Sequence, residues 1–370
     1  MSDLVRPTGH EDIVRGLAAA AREERLPHAL LFEGPEGIGK FRAALWLAAT
    51  LLCDRAGPRP GDGPGSGPGN GNGPCLTCGP CKRVLAESHP DIFVVDARAH
   101  DQDELVVGFI AYRKDKPDKG YKGQAIEEFL DLRAAESRGK FVIVREAERM
   151  TEAAQNAFLK MLEEPRPGVH IFLETAVPNA LLQTVRSRVI RVRFDALSPD
   201  TCADVIVASL GLDRSDPDDA ARLEDLVRIS GGAPGTALTL DERSALSMEA
   251  LVGAAFSGAR PASEVATELW DLDGDFPGKT PFVRRRTRAE TILDLGLELL
   301  VDLERCVAGA PADALRHGAL AAELAMNARM RSDSVRRRVG EAWLSAREDL
   351  HLNLSPEGLV DRALAATSNR

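Results

Sequence analysis

The most informative segment of this 370-residue chain reads Ala29-Leu30-Leu31-Phe32-Glu33-Gly34-Pro35-Glu36-Gly37-Ile38-Gly39-Lys40. Its apolar start predicts a buried strand at residues 29–33, and the alanine- and leucine-rich residues 41–52 predict a helix after it. A Gly-x4-Gly-Lys loop between a strand and a helix suits phosphate binding, because backbone N–H groups and the helix N-terminus surround the oxygens while the lysine reaches the outer ones. The candidate phosphate-binding residues are therefore Gly34, Gly37, Gly39 and Lys40.

Two positions near this loop argue against magnesium-dependent hydrolysis. The residue after the lysine should be Ser or Thr, whose hydroxyl binds Mg²⁺, but it is Phe41. The apolar residues 140–144 predict a buried strand that should end on an acidic metal ligand, but the next residue is Arg145, and only then Glu146. We expect no intrinsic ATPase, and either weak, metal-poor nucleotide binding or a loop that keeps only its turn geometry. The alternative is a divergent ATPase that uses Glu146 as its metal ligand.

A cluster of cysteines in the first quarter of the chain predicts a metal site, with ligands Cys53, Cys75, Cys78 and Cys81. Four thiolates suit tetrahedral Zn²⁺ in a closed structural site, and a Cys-x2-Cys spacing lets two sulfurs reach one ion from a single turn. The glycine- and proline-rich residues 56–74 are expected to loop out as a disordered insertion. His89 is the reserve fourth ligand, and a redox dithiol is the alternative interpretation. Cys202 and Cys306 are predicted to be small buried hydrophobic residues.

The rest of the chain divides into an α/β part and a helical part. Alternating strands and helices predict a mostly parallel sheet, covered on both faces, within residues 1–195. Further strands are expected at 91–96 and 170–175, helices at 10–26, 124–135 and 151–164, and a surface loop or hairpin at 99–122. After residue 199 only helices are expected, at 201–210, 220–229, 235–240, 290–307, 314–330 and 335–350, with a last one starting near Ser355. The predicted domains are 1–195, with a zinc insertion at about 53–81, then 196–243 and 244–370.

Composition excludes several classes of protein. The chain carries 47 Lys and Arg against 57 Asp and Glu, a formal net charge of −10, so its main surface is not expected to bind nucleic acid directly. Only 5% of residues are aromatic, which argues against a base-stacking platform. The polar start and the lack of about 18 consecutive apolar residues predict a soluble, cytoplasmic protein with no membrane contact.

Together these features resemble the AAA+ clamp loader family of bacterial DNA polymerase III, and within it the delta-prime subunits. The resemblance rests on residues 26–32, the four-cysteine module, and residues 89–91, 156–165 and 186–188. It covers roughly residues 8–240 and implies an AAA+ fold with a helical lid at 196–243. The match is weaker in 244–370, which the resemblance implies to be a collar that holds a pentameric loader together.

The resemblance also implies a role for Ser187-Arg188. In the family this Ser-Arg pair reaches the ATP site of the neighbouring subunit, where the arginine stabilises charge in the transition state. Relatives have Cys after the pair, whereas this chain has Val189, and Gly235 stands where hydrolysing relatives present a phosphate-sensing arginine. The chain would then have no catalytic residue acting in cis and would donate Arg188 in trans.

The implied cofactor is structural Zn²⁺, with ATP and Mg²⁺ binding doubtful. The implied partners are gamma/tau and delta subunits in a hetero-oligomer, and, through the complex, the β sliding clamp and primed DNA. The chain would thus be a component of a DNA polymerase holoenzyme. Two alternatives remain open: an active, gamma/tau-like motor subunit, and an α/β zinc protein with an unrelated scaffolding role.

Overall fold

The computed structural model describes residues 7–23, 25–55, 73–100, 102–111, 121, 123–136, 139–352 and 354–368. The chain divides into two compact units, Met1–Ala208 and Ser209–Arg370. Each unit contains its own hydrophobic core. The insertion predicted at 56–74 lies outside the described residues except for its last two positions. In the part of the chain that the structure describes, no helix is both long and apolar enough to span a membrane.

The first unit is built on a parallel sheet that has five strands in the described residues, which confirms the predicted α/β class. The strands are β1 (Ala29–Glu33), β2 (Ile92–Val95), β3 (Lys140–Val144), β4 (Val169–Thr175) and β5 (Ile190–Arg193). Their order across the sheet is β2-β3-β4-β1-β5, and every neighbouring pair is parallel. Strands β1 and β3 occur at the predicted residues, because both are continuous apolar runs buried in the sheet.

Helices connect and cover these strands. They are α1 (Glu11–Arg22), α2 (Lys40–Leu52), α3 (Gly79–Leu85), α4 (Val107–Ile110), α5 (Ile126–Asp131), α6 (Glu152–Glu163), α7 (Gln183–Arg186) and α8 (Pro199–Leu210), with 3₁₀ turns at Arg98–His100, Ala147–Arg149 and Pro178–Ala180. Helix α6 lies within the range predicted for it, and its buried face includes Ala154, Phe158 and Leu162. Its N-terminus is capped by Thr151, whose hydroxyl accepts a hydrogen bond from the Ala154 N–H at 3.2 Å.

The prediction of a surface loop at residues 99–122 was wrong for much of its described part. Leu105, Phe109, Ile110 and Tyr121 are buried in the core of the first unit. The Phe109 and Tyr121 rings stack with centroids 3.7 Å apart. Leu105, Phe109 and Ile110 form too short an apolar group to predict an element by periodicity, and Tyr121 is separated from them by charged residues. Residues 112–120 lie outside the described residues.

The second unit is helical, and no strand follows residue 198 among the described residues, as expected. Its helices are α9 (Pro217–Ser230), α10 (Pro234–Glu242), α11 (Ala245–Ser257), α12 (Ala262–Asp271), α13 (Pro281–Val307), α14 (Ala321–Met330), α15 (Asp333–Asp349) and α16 (Pro356–Ser368), with 3₁₀ turns at Ala312–Ala314 and Gly318–Leu320. Helix α13 packs against α11, α14, α15 and α16. Trp343 lies directly over Gly296 of α13, where a Cβ atom would lie 1.9 Å from the indole. Only glycine therefore allows this contact.

A buried ionic cluster joins α9, α11 and α13 within the second unit. The His317 Nδ1 atom lies 2.8 Å from Glu249 Oε1, and the His317 Nε2 atom lies 3.5 Å from Glu298 Oε2. Arg228 of α9 approaches the same Glu249 carboxylate at 3.4 Å. Burial acts to lower the pKa of His317, but the two carboxylates outweigh it and raise the pKa. The cluster ties α9 to the larger helical bundle.

Candidate functional site

The glycine loop has the backbone that its sequence predicts. Gly34 ends β1 with φ 154°, and a Cβ atom there would lie 2.2 Å from the Phe194 carbonyl oxygen. Gly39 caps the N-terminus of α2 with φ 100°, a left-handed conformation that side chains rarely adopt. The loop therefore turns sharply from the central strand β1 into α2, which is the geometry of a phosphate-binding loop.

The lysine of this loop is engaged by the loop itself. Lys40 Nζ donates hydrogen bonds to the carbonyl oxygens of Gly34 at 2.7 Å and Pro35 at 2.6 Å. The Lys40 side chain is buried, and this burial lowers its pKa, against the opposing effect of nearby glutamates, Glu174 first among them. A phosphate group bound at the loop would have to compete with the two carbonyl oxygens for the ammonium.

Arg145 stands at the end of β3, where the metal-binding carboxylate was expected. Its guanidinium carbon lies 4.5 Å from the centre of the Phe41 ring, so the two residues found where magnesium ligands were expected stack on each other. Arg145 also pairs with Asp96 at 2.9 Å and with Glu174 at 3.2 Å. Burial raises the pKa of Glu174 to about 7, although Arg145 and Lys40 act in the other direction. A fixed cation thus occupies the neighbourhood in which a divalent ion would bind.

Glu146, the alternative metal ligand, is also engaged. Its carboxylate lies 3.1 Å from Arg98 Nε and forms a second ion pair with Arg149. Its backbone has φ 45°, an unusual conformation for a non-glycine residue. Binding a metal ion would require Glu146 to give up both arginines.

The structure brings the four predicted cysteines together. The sulfurs of Cys53, Cys75, Cys78 and Cys81 all lie within 4.8 Å of one another. Cys53 follows the last residue of α2, while Cys78 caps the start of α3, so the packing of these two helices brings both ends of the module together. Cys53 and Cys81 are buried, and Cys75 and Cys78 are half-buried.

This arrangement fits zinc. A tetrahedral ion with zinc–sulfur bonds of about 2.3 Å requires sulfur–sulfur distances of about 3.8 Å, and the Cys53 and Cys78 sulfurs are 4.0 Å apart. The backbone N–H groups of Arg55 and Cys75 each donate to Cys53 Sγ at 3.3 Å. Such N–H···S contacts stabilise thiolates, as the surroundings of a metal site should. The described part of the chain thus supplies four soft ligands for one ion.

His89 is not part of the cysteine cluster. Its Nε2 lies 3.3 Å from Glu136 Oε2, and its Nδ1 accepts a hydrogen bond from the Asp91 N–H at 3.1 Å. Burial lowers the pKa of His89. The reserve fourth ligand is therefore a buried structural histidine. Cys202 is buried, and Cys306 packs half-buried against the core of the second unit, in line with their predicted nature.

Arg188 lies on the surface, in the turn between α7 and β5. The turn is held by the buried side chains of Val185 and Val189, one on each side of the predicted Ser187-Arg188 pair. Arg188 forms an ion pair of 2.7 Å with Glu163, the last residue of α6. Gly235 lies in the first turn of α10.

Sequence reasoning missed Asp96, Glu174 and Glu163, the carboxylates that pair with Arg145 and Arg188. A signal existed for the first two, because Asp96 follows β2 and Glu174 lies near the end of β4, and the carboxyl ends of parallel strands meet at one edge of a sheet. Glu163 has no comparable signal. Its pairing depends on how α6 packs relative to α7.

Comparisons with known proteins agree on one family. The family model described as "DNA polymerase III, delta subunit" matches residues 9–198. "DNA polymerase III subunit delta'" of Bacillus subtilis is 32% identical over 195 residues, 53% of this chain and 50% of that protein. The protein of the same name from Escherichia coli is 31% identical over 224 residues, 60% of this chain and 57% of that protein. "DNA polymerase III subunit gamma/tau" of Mycobacterium tuberculosis is 29% identical over 235 residues, 63% of this chain and 35% of that protein. The chain thus spans about half the length of the delta' relatives.

Proposed function

This chain belongs to the delta-prime family of DNA polymerase III clamp loader subunits, and we propose that it is a non-hydrolysing member that donates Arg188 to the ATP site of a neighbouring subunit. Its proposed partners are gamma/tau and delta subunits. Through them it helps to open the β sliding clamp and load it onto primed DNA. A net charge of −10 suits this role, because the partners supply most of the contacts with DNA.

The observation that carries the non-hydrolysing part is the contact between Arg145 and Phe41. Phosphoryl transfer needs a metal ion that neutralises charge on the phosphates and holds them in line. Here a guanidinium held by Asp96 and Glu174 lies over Phe41, at the position of both expected metal ligands. A divalent ion would have to displace a cation already paired with the nearby carboxylates, which electrostatics disfavours.

The exposure of Arg188 supports its proposed function in trans. Its side chain retains 36% of its surface exposed, on a turn whose flanking valines are buried. A guanidinium carries five N–H donors, so contact with Glu163 leaves donors for a phosphate group from another subunit. The position combines a rigid backbone with an accessible charged group, as an arginine finger requires.

The remaining parts of the proposal concern architecture. We assign residues 196–243 to a helical lid and 244–370 to a collar that joins the subunits. The four cysteines hold a structural zinc ion. The ion cross-links the end of α2 to the start of α3 and takes no part in catalysis. The lid and collar assignments rest on family membership and on the helices that follow residue 198, and the zinc assignment rests on the four clustered sulfurs.

An active gamma/tau-like motor is the competing function. It is favoured by the retained Lys40 and by 29% identity to a gamma/tau subunit. The difference between the two proposals is whether magnesium strengthens nucleotide binding at the glycine loop.

We expect the isolated chain to bind ATP no more tightly with Mg²⁺ than with EDTA, because Phe41 offers no oxygen ligand and Arg145 already pairs with the nearby carboxylates. In the double variant Phe41→Thr, Arg145→Asp, magnesium should tighten binding about tenfold or more, since a hydroxyl and a carboxylate are restored. The measurement is isothermal titration with a slowly hydrolysed ATP analogue, with circular dichroism confirming that the variant is folded. Adding Lys40→Ala to the double variant should remove the gain. Tighter magnesium-dependent binding by the unaltered chain would favour the motor.

A further inference from the structure

We propose that Glu163 is a positioning residue for Arg188, holding the guanidinium in the orientation from which it reaches the neighbouring ATP site. This inference rests on the proposed function of Arg188. It adds a residue, on a different element of the fold, that acts only through that arginine.

Two acceptors hold the guanidinium at its two terminal nitrogens. The Arg188 Nη2 atom lies 2.7 Å from Glu163 Oε1, and Nη1 donates to the Thr184 carbonyl oxygen at 2.9 Å. Ser187 Oγ lies 3.4 Å from the same Nη1 atom. An arginine side chain has four rotatable bonds and loses considerable freedom when it is fixed. Contacts at both terminal nitrogens remove that freedom before a partner arrives.

Both residues of the Glu163–Arg188 ion pair lie on backbone segments that are anchored by buried side chains. Helix α6 is fixed by the buried Phe158 and Leu162, five residues and one residue before Glu163. The turn that carries Arg188 is fixed by the buried Val185 and Val189. The ion pair therefore joins two rigid backbones, and only the two side chains must be ordered to form it.

The position of Glu163 makes the pair favourable for the glutamate as well. Glu163 is the last residue of α6, where the unpaired carbonyl groups give the helix end a partial negative charge. A carboxylate is disfavoured there unless a cation lies beside it. Arg188 supplies that cation, so the pair stabilises the orientation of both side chains.

The geometry predicts a specific kinetic signature. With Glu163→Gln, the arginine keeps its charge but samples more orientations, so kcat for ATP hydrolysis by the reconstituted loader should fall about three- to fivefold, the size expected for an exposed ion pair. The KM for ATP should not change, because the nucleotide is bound by the neighbouring subunit. The matched control is Glu164→Gln, which removes the same charge one residue further along, and it should leave kcat unchanged.

A double-mutant cycle separates positioning from a general structural effect. Loaders containing gamma/tau, delta, β clamp, primed DNA and this chain are compared as unaltered, Glu163→Gln, Arg188→Ala and double-variant forms. If Glu163 acts through Arg188, Glu163→Gln has no further effect once Arg188 is alanine. A fully additive loss, an unchanged kcat, or a rise in kcat for Glu163→Gln alone would overturn the inference. If Arg188→Ala itself has no effect, the proposed finger fails, and that outcome is distinct from a failure of Glu163 alone.

Discussion

Replacing Arg188 by alanine is expected to slow ATP hydrolysis at the neighbouring subunit's site about 10³-fold or more, while the loader still assembles. The guanidinium would stabilise charge that develops on the transferred phosphoryl group, and its loss leaves this charge unpaired in a site that excludes water. Assembly is expected to survive because Arg188 contacts only Glu163 and its own turn within the described chain, and the turn is held by buried valines.

Rapid-quench measurement of a single turnover shows this effect most clearly. The amplitude of the fast phase of hydrolysis should decrease by the fraction of ATP that is bound at the neighbouring site. That fraction should be hydrolysed in a slow phase instead. The control is Arg193→Ala, which removes another exposed arginine that pairs with the nearby Asp195. An unchanged fast phase in a fully assembled Arg188→Ala loader would refute the finger.

Loss of zinc is expected to have the second large effect. The purified chain should contain about one zinc ion, and Cys78→Ser or prolonged chelation should lower the free energy of unfolding by on the order of 5 kcal/mol, because the binding energy of a structural zinc is folding energy. Helices α2 and α3 already pack against each other, and a bound ion would add a cross-link between the end of α2 and the start of α3.

Elemental analysis and thermal melting test this expectation together. Cys306→Ser is the matched control, since it changes the same functional group at a half-buried position in the second unit, and it should shift the melting temperature little. A metal-free chain that is fully folded, or a Cys78→Ser variant that melts with the unaltered chain, would show that the thiols do not hold a structural ion.

The parts of the fold that could be predicted are those whose energetics are local in sequence. Strands β1 and β3 are buried on both faces and therefore appear as unbroken apolar runs. Strand β5 is an edge strand in the described sheet, and its exposed Arg191 and Arg193 conceal it. Helix α13 begins at Pro281, nine residues before the predicted start at 290, because its first turns are exposed and show no apolar pattern. The usable signal was Thr280, whose hydroxyl accepts from the Val283 N–H.

The candidate site, like the fold, has parts that could be predicted from the sequence and parts that could not. Cysteine spacing predicted the four residues that the fold brings together, and the loop motif predicted the sharp turn between β1 and α2. The pairing of Arg145 with Asp96 spans 49 residues and depends on β2 lying beside β3. The pairing of Arg188 with Glu163 likewise depends on packing between elements. Such contacts require the strand order and helix positions, which a single sequence does not supply.

The most direct test of the central claim, that this chain supplies catalysis to a neighbour and performs none itself, is ATP turnover measured first for the isolated chain and then after gamma/tau, delta, β clamp and primed DNA are added. The account predicts no magnesium-dependent turnover by the chain alone, and clamp- and DNA-stimulated turnover of the mixture that falls when this chain is left out. Magnesium-dependent turnover by the isolated chain that Lys40→Ala abolishes would contradict it, and would mean that the contact between Arg145 and Phe41 does not exclude the metal.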